Sequence, residues 1–121
     1  MLTIRPEQME KFSEAALKSF EDRMVPFLAT HFRDQSRALG ESRVRLLVRH
    51  GIGRAGSYGI DGQRDVCQYI CLMFVFGGNF DVNPKLSSMR AVLDDARLAD
   101  SGTKIRTLYS AANRELHGRA S

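Results

Sequence analysis

The chain has 121 residues, a mass of 13.6 kDa and a formal net charge of +4, which is the size of one domain. Its 43% hydrophobic and 26% charged residues are ordinary fractions for a globular protein. This composition excludes a disordered tail, a collagen-like chain and a disulfide scaffold. We therefore treat residues 1–121 as one domain that folds without a cofactor.

Targeting and membrane segments are not expected in this chain. Its first twelve residues contain no apolar signal region, and its longest apolar run, Tyr69–Phe76, has eight residues, whereas a membrane span needs about 20. The spacing of Cys67 and Cys71 suits two reduced thiols packed side by side on a helix better than a disulfide. We expect a cytoplasmic protein.

Apolar residues recur every three or four positions, which predicts helices rather than strands. The first predicted helix covers about Pro6 to Phe32 and has a proline in its first turn. Pro26 lies inside this pattern and is expected to kink or break the helix near Val25. The second predicted helix covers Glu41–Ser57, although three glycines weaken it.

The third predicted helix, Asp61–Phe76, is apolar on almost every face and is therefore expected to be buried. Asp61 is its expected cap, and a pair of glycines ends it. A buried strand is the alternative, which the length of the segment disfavours. Two more helices are expected at about Pro84–Leu98, capped by Asn83, and at about 101–116, capped by Ser101. The predicted fold is an all-α, compact bundle of about five helices around the helix at 61–76.

Three short motifs resemble ligand sites but lack essential parts. The run from Gly51 to Gly56 matches G-x-G-x-x-G but lies in a helical pattern without the strand that a dinucleotide site needs, so close helix packing or a helix end is expected. Asn79–Asn83 resembles the start of a calcium loop but lacks its glycine and glutamate, so we expect a turn in which Asp81 binds nearby backbone N–H groups. Cys67 and Cys71 supply only two of the four ligands of a structural zinc site, and we expect buried thiols instead.

No catalytic signature is present, and we expect neither an enzyme nor a metal or cofactor site. Ser, Cys and His occur without a local nucleophile motif. The acidic pairs Glu21-Asp22 and Asp94-Asp95 point to different sides of their helices and are expected to be solvated.

The positive charge is concentrated between Arg33 and Arg54, where six arginines stand against two acids, a net charge of +4. This basic patch suits phosphates, an acidic protein, or internal pairing with acids of the first helix. Nucleic acid is disfavoured because no RNA-type aromatic motif accompanies the arginines. The candidate partner-binding residues are Arg43, Arg45, Arg49, Arg54, Phe80 and Asp81.

Some of these candidates have a purely structural alternative. Phe80 follows the central helix and could equally close the end of the core. Met9, Met24 and Met73 are expected in the core, although a first helix rich in Met and Phe could also form a homodimer.

Three stretches of the chain resemble a known group of proteins. They are IRPEQMEKFSEAALKSFEDRMVPFL, VRHGIGRAGSYGIDGQRDVCQYICLMFVFGGNFD and AVLDDARLADSGTKIRTLY. The most specific parts are the YGI-x-x-x-x-DV-x-x-YI-x-LMF-x-FG-x-x-FD pattern over Tyr58–Asp81 and the DDARLAD turn near Asp95–Asp100. The chain resembles small helical proteins of Gram-negative bacteria that are encoded beside VgrG, PAAR-repeat and toxin genes of type VI secretion clusters.

This resemblance implies a binding role rather than a reaction. The setting of the group implies an accessory protein, meaning a chaperone, co-chaperone or adaptor. Its partner would be an effector, a PAAR protein or a larger chaperone of the same cluster. The alternative that it implies is an immunity protein that blocks a cognate toxin. Both roles are stoichiometric protein binding in the cytoplasm.

Overall fold

The computed structural model describes the backbone of residues 13–120 and the side chains of residues 13–117. Six α-helices, two 3-10 turns and no strand occur in this part of the chain. The helices are α1 (Glu14–His31), α2 (Arg33–Leu39), α3 (Glu41–Ser57), α4 (Gln63–Phe76), α5 (Ser87–Leu93) and α6 (Ser101–Ala120). The prediction of an all-helical bundle is confirmed.

Helix α1 differs from its prediction at its start and at Pro26, whereas its end at His31 agrees with the predicted end near Phe32. It begins at Glu14 because Ser13 leaves the helical conformation and its hydroxyl accepts the N–H of Ala16 at 3.3 Å. Pro26 lies inside α1 without ending it, so of the two expected effects, a kink or a break, the break is wrong. Met24 and Leu28, one turn apart on either side of the proline, are both buried in the core and hold the helix against its neighbours. The predicted turn around Pro6 lies outside the described residues.

Helix α2 was missed in the sequence because it has no apolar stripe and none of its residues is buried. Its end is set by Gly40, whose φ of +83° is favourable only for glycine. Gln35 attaches α2 to the central helix, since its side-chain amide donates to the backbone carbonyl of Phe74 at 2.6 Å.

Helix α3 has the predicted bounds, and Gly51 explains how closely it packs on α4. A Cβ at Gly51 would lie 2.6 Å from Ile70 Cγ1 and 2.8 Å from Met73 Sδ. Gly51 is therefore a helix contact, one of the two expected roles of the motif glycines, whereas a Cβ at Gly53 would meet nothing within 4 Å. Helix α4 begins at Gln63 after Gly62 rather than at the predicted Asp61 cap.

The chain after α4 turns twice in 3-10 conformation before α5. Gly77 ends α4 with a φ of +109°, and the turns are Phe80–Val82 and Pro84–Leu86. Asn83 caps the second of these turns, where its side chain accepts the N–H of Lys85 at 2.9 Å, whereas the helix expected from Pro84 begins only at Ser87. Helix α5 ends at Leu93, five residues before the predicted end.

Helix α6 begins at Ser101 as predicted, but a different residue caps it. Asp100 accepts the backbone N–H of Thr103 at 2.9 Å, whereas the Ser101 hydroxyl donates to Asp65 of α4 at 2.8 Å. The earlier end of α5 follows from Asp95, which accepts the N–H of Arg97 at 2.9 Å and forms a turn.

One hydrophobic core joins the helices, and α4 lies at its centre. Helix α4 packs against α1, α3 and α6. Its buried residues are Val66, Tyr69, Ile70, Leu72, Met73 and Phe74. Met24 and Met73 are in the core as expected, and Met9 lies outside the described residues. The prediction of a buried central helix is confirmed.

Candidate functional site

Two arginines of α3 form ion pairs with α1. Arg45 Nη1 lies 2.9 Å from Asp22 Oδ1 and 3.5 Å from Glu21 Oε1, and its Nε lies 3.2 Å from Glu41 Oε2. Arg49 Nε donates to Glu21 Oε2 at 2.5 Å. Hydrogen bonds to Asp22 and then to Glu41 raise the pKa of the Arg45 guanidinium.

These ion pairs involve a buried carboxylate, so the expectation that Glu21 is solvated is wrong. The side chain of Glu21 is only 3% exposed, although Asp22 beside it is 48% exposed. A buried carboxylate without a partner is strongly unfavourable, so the two arginines are needed where Glu21 enters the core. Internal pairing with acids of the first helix, one of the three interpretations of the basic patch, therefore applies to Arg45 and Arg49.

A second cluster surrounds Asp81, whose side chain is completely buried. Its Oδ2 accepts the Arg54 Nε–H at 2.8 Å and the Tyr58 hydroxyl at 2.7 Å, and Arg54 Nη2 also contacts it. Arg90 Nη1 donates to the backbone carbonyl of Asp81 at 3.2 Å. Burial, followed by the hydrogen bond to Asp81, raises the pKa of Tyr58 to about 12. This Asp81 cluster ties the end of α3 to the loop after α4 and to α5.

Lys104 of α6 extends this network under the turn that follows α3. Its ammonium donates to the backbone carbonyls of Tyr58 at 2.7 Å and Leu93 at 3.0 Å. The residue is 8% exposed, and burial lowers the pKa of the amine. Periodicity did not indicate this position, because a lysine on a helix normally faces solvent.

The two loop candidates lie inside the molecule. Phe80 is 1% exposed and packs against Tyr69, with ring centroids 5.2 Å apart, so it closes the end of the core. Asp81 binds Arg54 and Tyr58 instead of the backbone N–H groups that the sequence suggested. Neither side chain is available to a partner in this conformation. Arg54, with 35% of its side chain exposed, is likewise committed to Asp81.

The remaining candidate, Arg43, lies on the solvent side of α3. It shares that side with Leu46, His50 and Gly53, at helical steps of three or four residues. We call these four residues the α3 outer face. Leu46 is 65% exposed, and a Cβ at Gly53 would meet nothing within 4 Å. Within the described part of the chain, Arg43 and His50 form no hydrogen bond or ion pair.

The structure thus separates the four arginine candidates by role. Arg45 and Arg54 lie at the flanks of α3, where their ion pairs with acids of other elements stabilise the fold. Arg49 is paired through Nε, but 68% of its side chain is exposed beside the outer face. Leu46 is not among the residues predicted from the sequence, because it falls outside the apolar stripe of its helix. A leucine on the polar side of a helix is the signal that could have identified it.

In residues 13–117, no group of three or more His, Cys, Asp and Glu side chains could hold a metal ion. Cys67 and Cys71 are free thiols and are half-buried rather than fully buried. None of the described helices is both long enough and apolar enough to span a bilayer.

Comparison of the chain with protein-family models, with curated proteins and with solved structures finds no match.

Proposed function

We propose that this chain is a non-enzymatic, cytoplasmic accessory factor that binds another protein through the α3 outer face. It acts as a chaperone, co-chaperone or adaptor, and its partner is an effector or a PAAR protein of a type VI secretion cluster. The resemblance in sequence supports the secretion setting. The observation that carries the binding role is the exposure of Leu46 between Arg43, which forms no ion pair in the described residues, and Arg49, most of whose side chain is exposed.

The chemistry of the face defines the partner. Burying a leucine stabilises a complex by about 1.5–3 kcal/mol when the burial is complete. Arginine is enriched in protein interfaces, where its planar group pairs with carboxylates. Arg43 and the exposed part of Arg49 lie on either side of Leu46. The complementary surface is an apolar residue flanked by acids, and a second copy of this basic face would be repelled.

The ion pairs behind the face make it rigid. Arg45 and Arg49 join one flank of α3 to α1, and Arg54 joins its end to the loop of Asp81. Gly51 allows α3 to pack directly on α4. A face that is already ordered loses little conformational entropy on binding, which favours affinity.

The test is a tagged pull-down from cells that co-express the chain with its genomic neighbours one at a time. The wild type should capture an effector or PAAR protein, and Leu46→Glu and Arg43→Glu should each lose it. The matched controls are Leu116→Glu, an exposed leucine on α6, and Lys85→Glu, an exposed base in a 3-10 turn. Both controls should retain the partner.

The outcomes separate the related functions. Capture without rescue of growth supports the accessory role. Capture of the toxic domain with restored growth makes the chain an immunity protein, which is the alternative that the resemblance implies. Failure to capture any neighbour, together with salt-dependent binding of nucleic acid, contradicts both and assigns the basic patch to phosphates.

A further inference from the structure

The two cysteines form a pair that no part of the proposed function uses. Cys67 and Cys71 lie one turn apart on α4, and both thiols are free and half-buried. They share one face of that helix. Tyr109 of α6 lies beside the pair and donates its hydroxyl to the backbone carbonyl of Gln68 at 2.8 Å.

Helix geometry determines what this pair can do. Residues four apart on a helix have Cβ atoms about 5–6 Å apart. A disulfide needs Cβ atoms about 3.5–4.5 Å apart, so direct oxidation would distort the central helix. A metal–sulfur bond is about 2.3 Å long, as for zinc. One ion bound to both sulfur atoms can therefore join two cysteines whose Cβ atoms are too far apart for a disulfide.

The ligand set selects the ion. Thiolates are soft ligands that favour copper(I) over hard cations. Zinc needs four ligands, and the described residues place no further His, Cys, Asp or Glu with the two thiols as a metal-holding group. An ion that is satisfied by two sulfur atoms fits this surface.

We propose that Cys67 and Cys71 bind one soft monovalent cation of the copper(I) class through two sulfur atoms. Two S–H bonds are replaced by two metal–sulfur bonds, two protons are released to solvent, and no atom changes its oxidation state. The site lies on α4 and is independent of the α3 outer face.

The position of the pair supports binding, because both thiols are half-buried on α4. Partial burial against the core limits competition from water.

The experiment is an anaerobic competition of the reduced full chain against a chromophoric copper(I) chelator. We expect the wild type to withdraw one copper(I) per chain, and Cys67→Ser and Cys71→Ser to lose this binding. Tyr109→Phe is the control, because it removes the neighbouring hydroxyl and leaves both thiols. It should bind like the wild type.

Further measurements keep the test decisive if a serine variant folds poorly. X-ray absorption of the loaded wild type should show two sulfur neighbours, and native mass spectrometry should show one ion in a monomer. Unchanged copper binding by either folded serine variant would overturn the proposal. Copper found only between two chains, or displaced by equimolar zinc(II), would also overturn it.

Discussion

Buried charges hold the irregular parts of this molecule together at the scale of single residues. Glu21, Asp81 and Lys104 are all at most 8% exposed, and each has polar partners from another part of the chain. Without partners, such groups oppose folding by several kcal/mol each, about the size of a domain's whole stability. Their partners therefore determine which turns and helix ends come together.

Asp81→Ala should destabilise the protein by about 3 kcal/mol, because it leaves Arg54 and the Tyr58 hydroxyl without their shared acceptor. The free energy of unfolding in urea measures this loss. Asp94→Ala is the matched control. Asp94 is 53% exposed and pairs with Arg90 on the surface, so its removal should change the stability by less than about 1 kcal/mol. Equal losses in the two variants would contradict the role assigned to the Asp81 cluster.

The pKa of Tyr58 predicts a loss of stability in alkali. The folded pKa is raised to about 12, whereas an unfolded tyrosine titrates near pH 10. Because the unfolded chain loses this proton first, the contribution of Tyr58 is complete below pH 10 and is lost as the pH rises towards 12. We expect Tyr58→Phe to be less stable by about 1 kcal/mol at pH 8, where a hydrogen bond is missing.

The comparison is made by urea unfolding of both proteins between pH 8 and pH 11.5. The difference in free energy of unfolding between the wild type and Tyr58→Phe should become smaller above pH 10, because only the wild type loses this contribution. Burial, the largest cause, raises the pKa of Tyr69 and Tyr109 as well, and this burial is common to both proteins. A constant gap across the range would contradict the assignment.

At the scale of elements, the glycines of α3 have different roles within one helix. Gly51 lies against Ile70 and Met73, whereas Gly53 faces open space. The sequence motif makes them look equivalent, since both are motif glycines in the same helical segment. Only the position of α4 distinguishes them.

Alanine substitutions test this difference directly. Gly51→Ala should destabilise the protein by about 1–2 kcal/mol, because overpacking outweighs the gain in helix propensity. Gly53→Ala should stabilise it by up to about 1 kcal/mol, because it gains the propensity and meets no neighbour. Thermal unfolding followed by circular dichroism measures both. A stabilising Gly51→Ala would show that the two helices are not in close contact.

The element boundaries show where local sequence rules are sufficient and where they fail. The bounds of α3 follow from its apolar stripe and remain as predicted in spite of three glycines. Helix α1 continues through Pro26 because packing on both sides of the proline outweighs the lost backbone hydrogen bond. Helix α2 has no buried residue, so no periodic signal was available to predict it.

At the scale of the whole molecule, the positive charge divides into structural and exposed arginines. The patch from Arg33 to Arg54 looks uniform in sequence. In the fold, Arg45 and Arg54 are paired with acids from distant positions, and Arg43 on the outer face remains available. A binding surface defined from charge alone would therefore have included residues that the fold already uses.

The candidate site was only partly predictable for the same reason. Arg43 and Arg49 were named from the sequence and lie at the exposed face, whereas Phe80 and Asp81 were named and are buried. Leu46 completes the face and was not named. Exposure depends on which side of α3 the neighbouring helices cover, and one sequence without its packing does not contain that information.

Apolar periodicity by itself determined the helical class, the central position of the segment at 61–76 and the approximate bounds of α3. These features depend on local hydrogen bonding and on the spacing of apolar residues, and both follow directly from the order of residues in the sequence. Tertiary structure alone decided that Glu21, Asp81 and Lys104 are buried, that Gly51 is a contact and that Leu46 is exposed. Those properties arise from residues that are 11 to 46 positions apart and meet only when the helices pack.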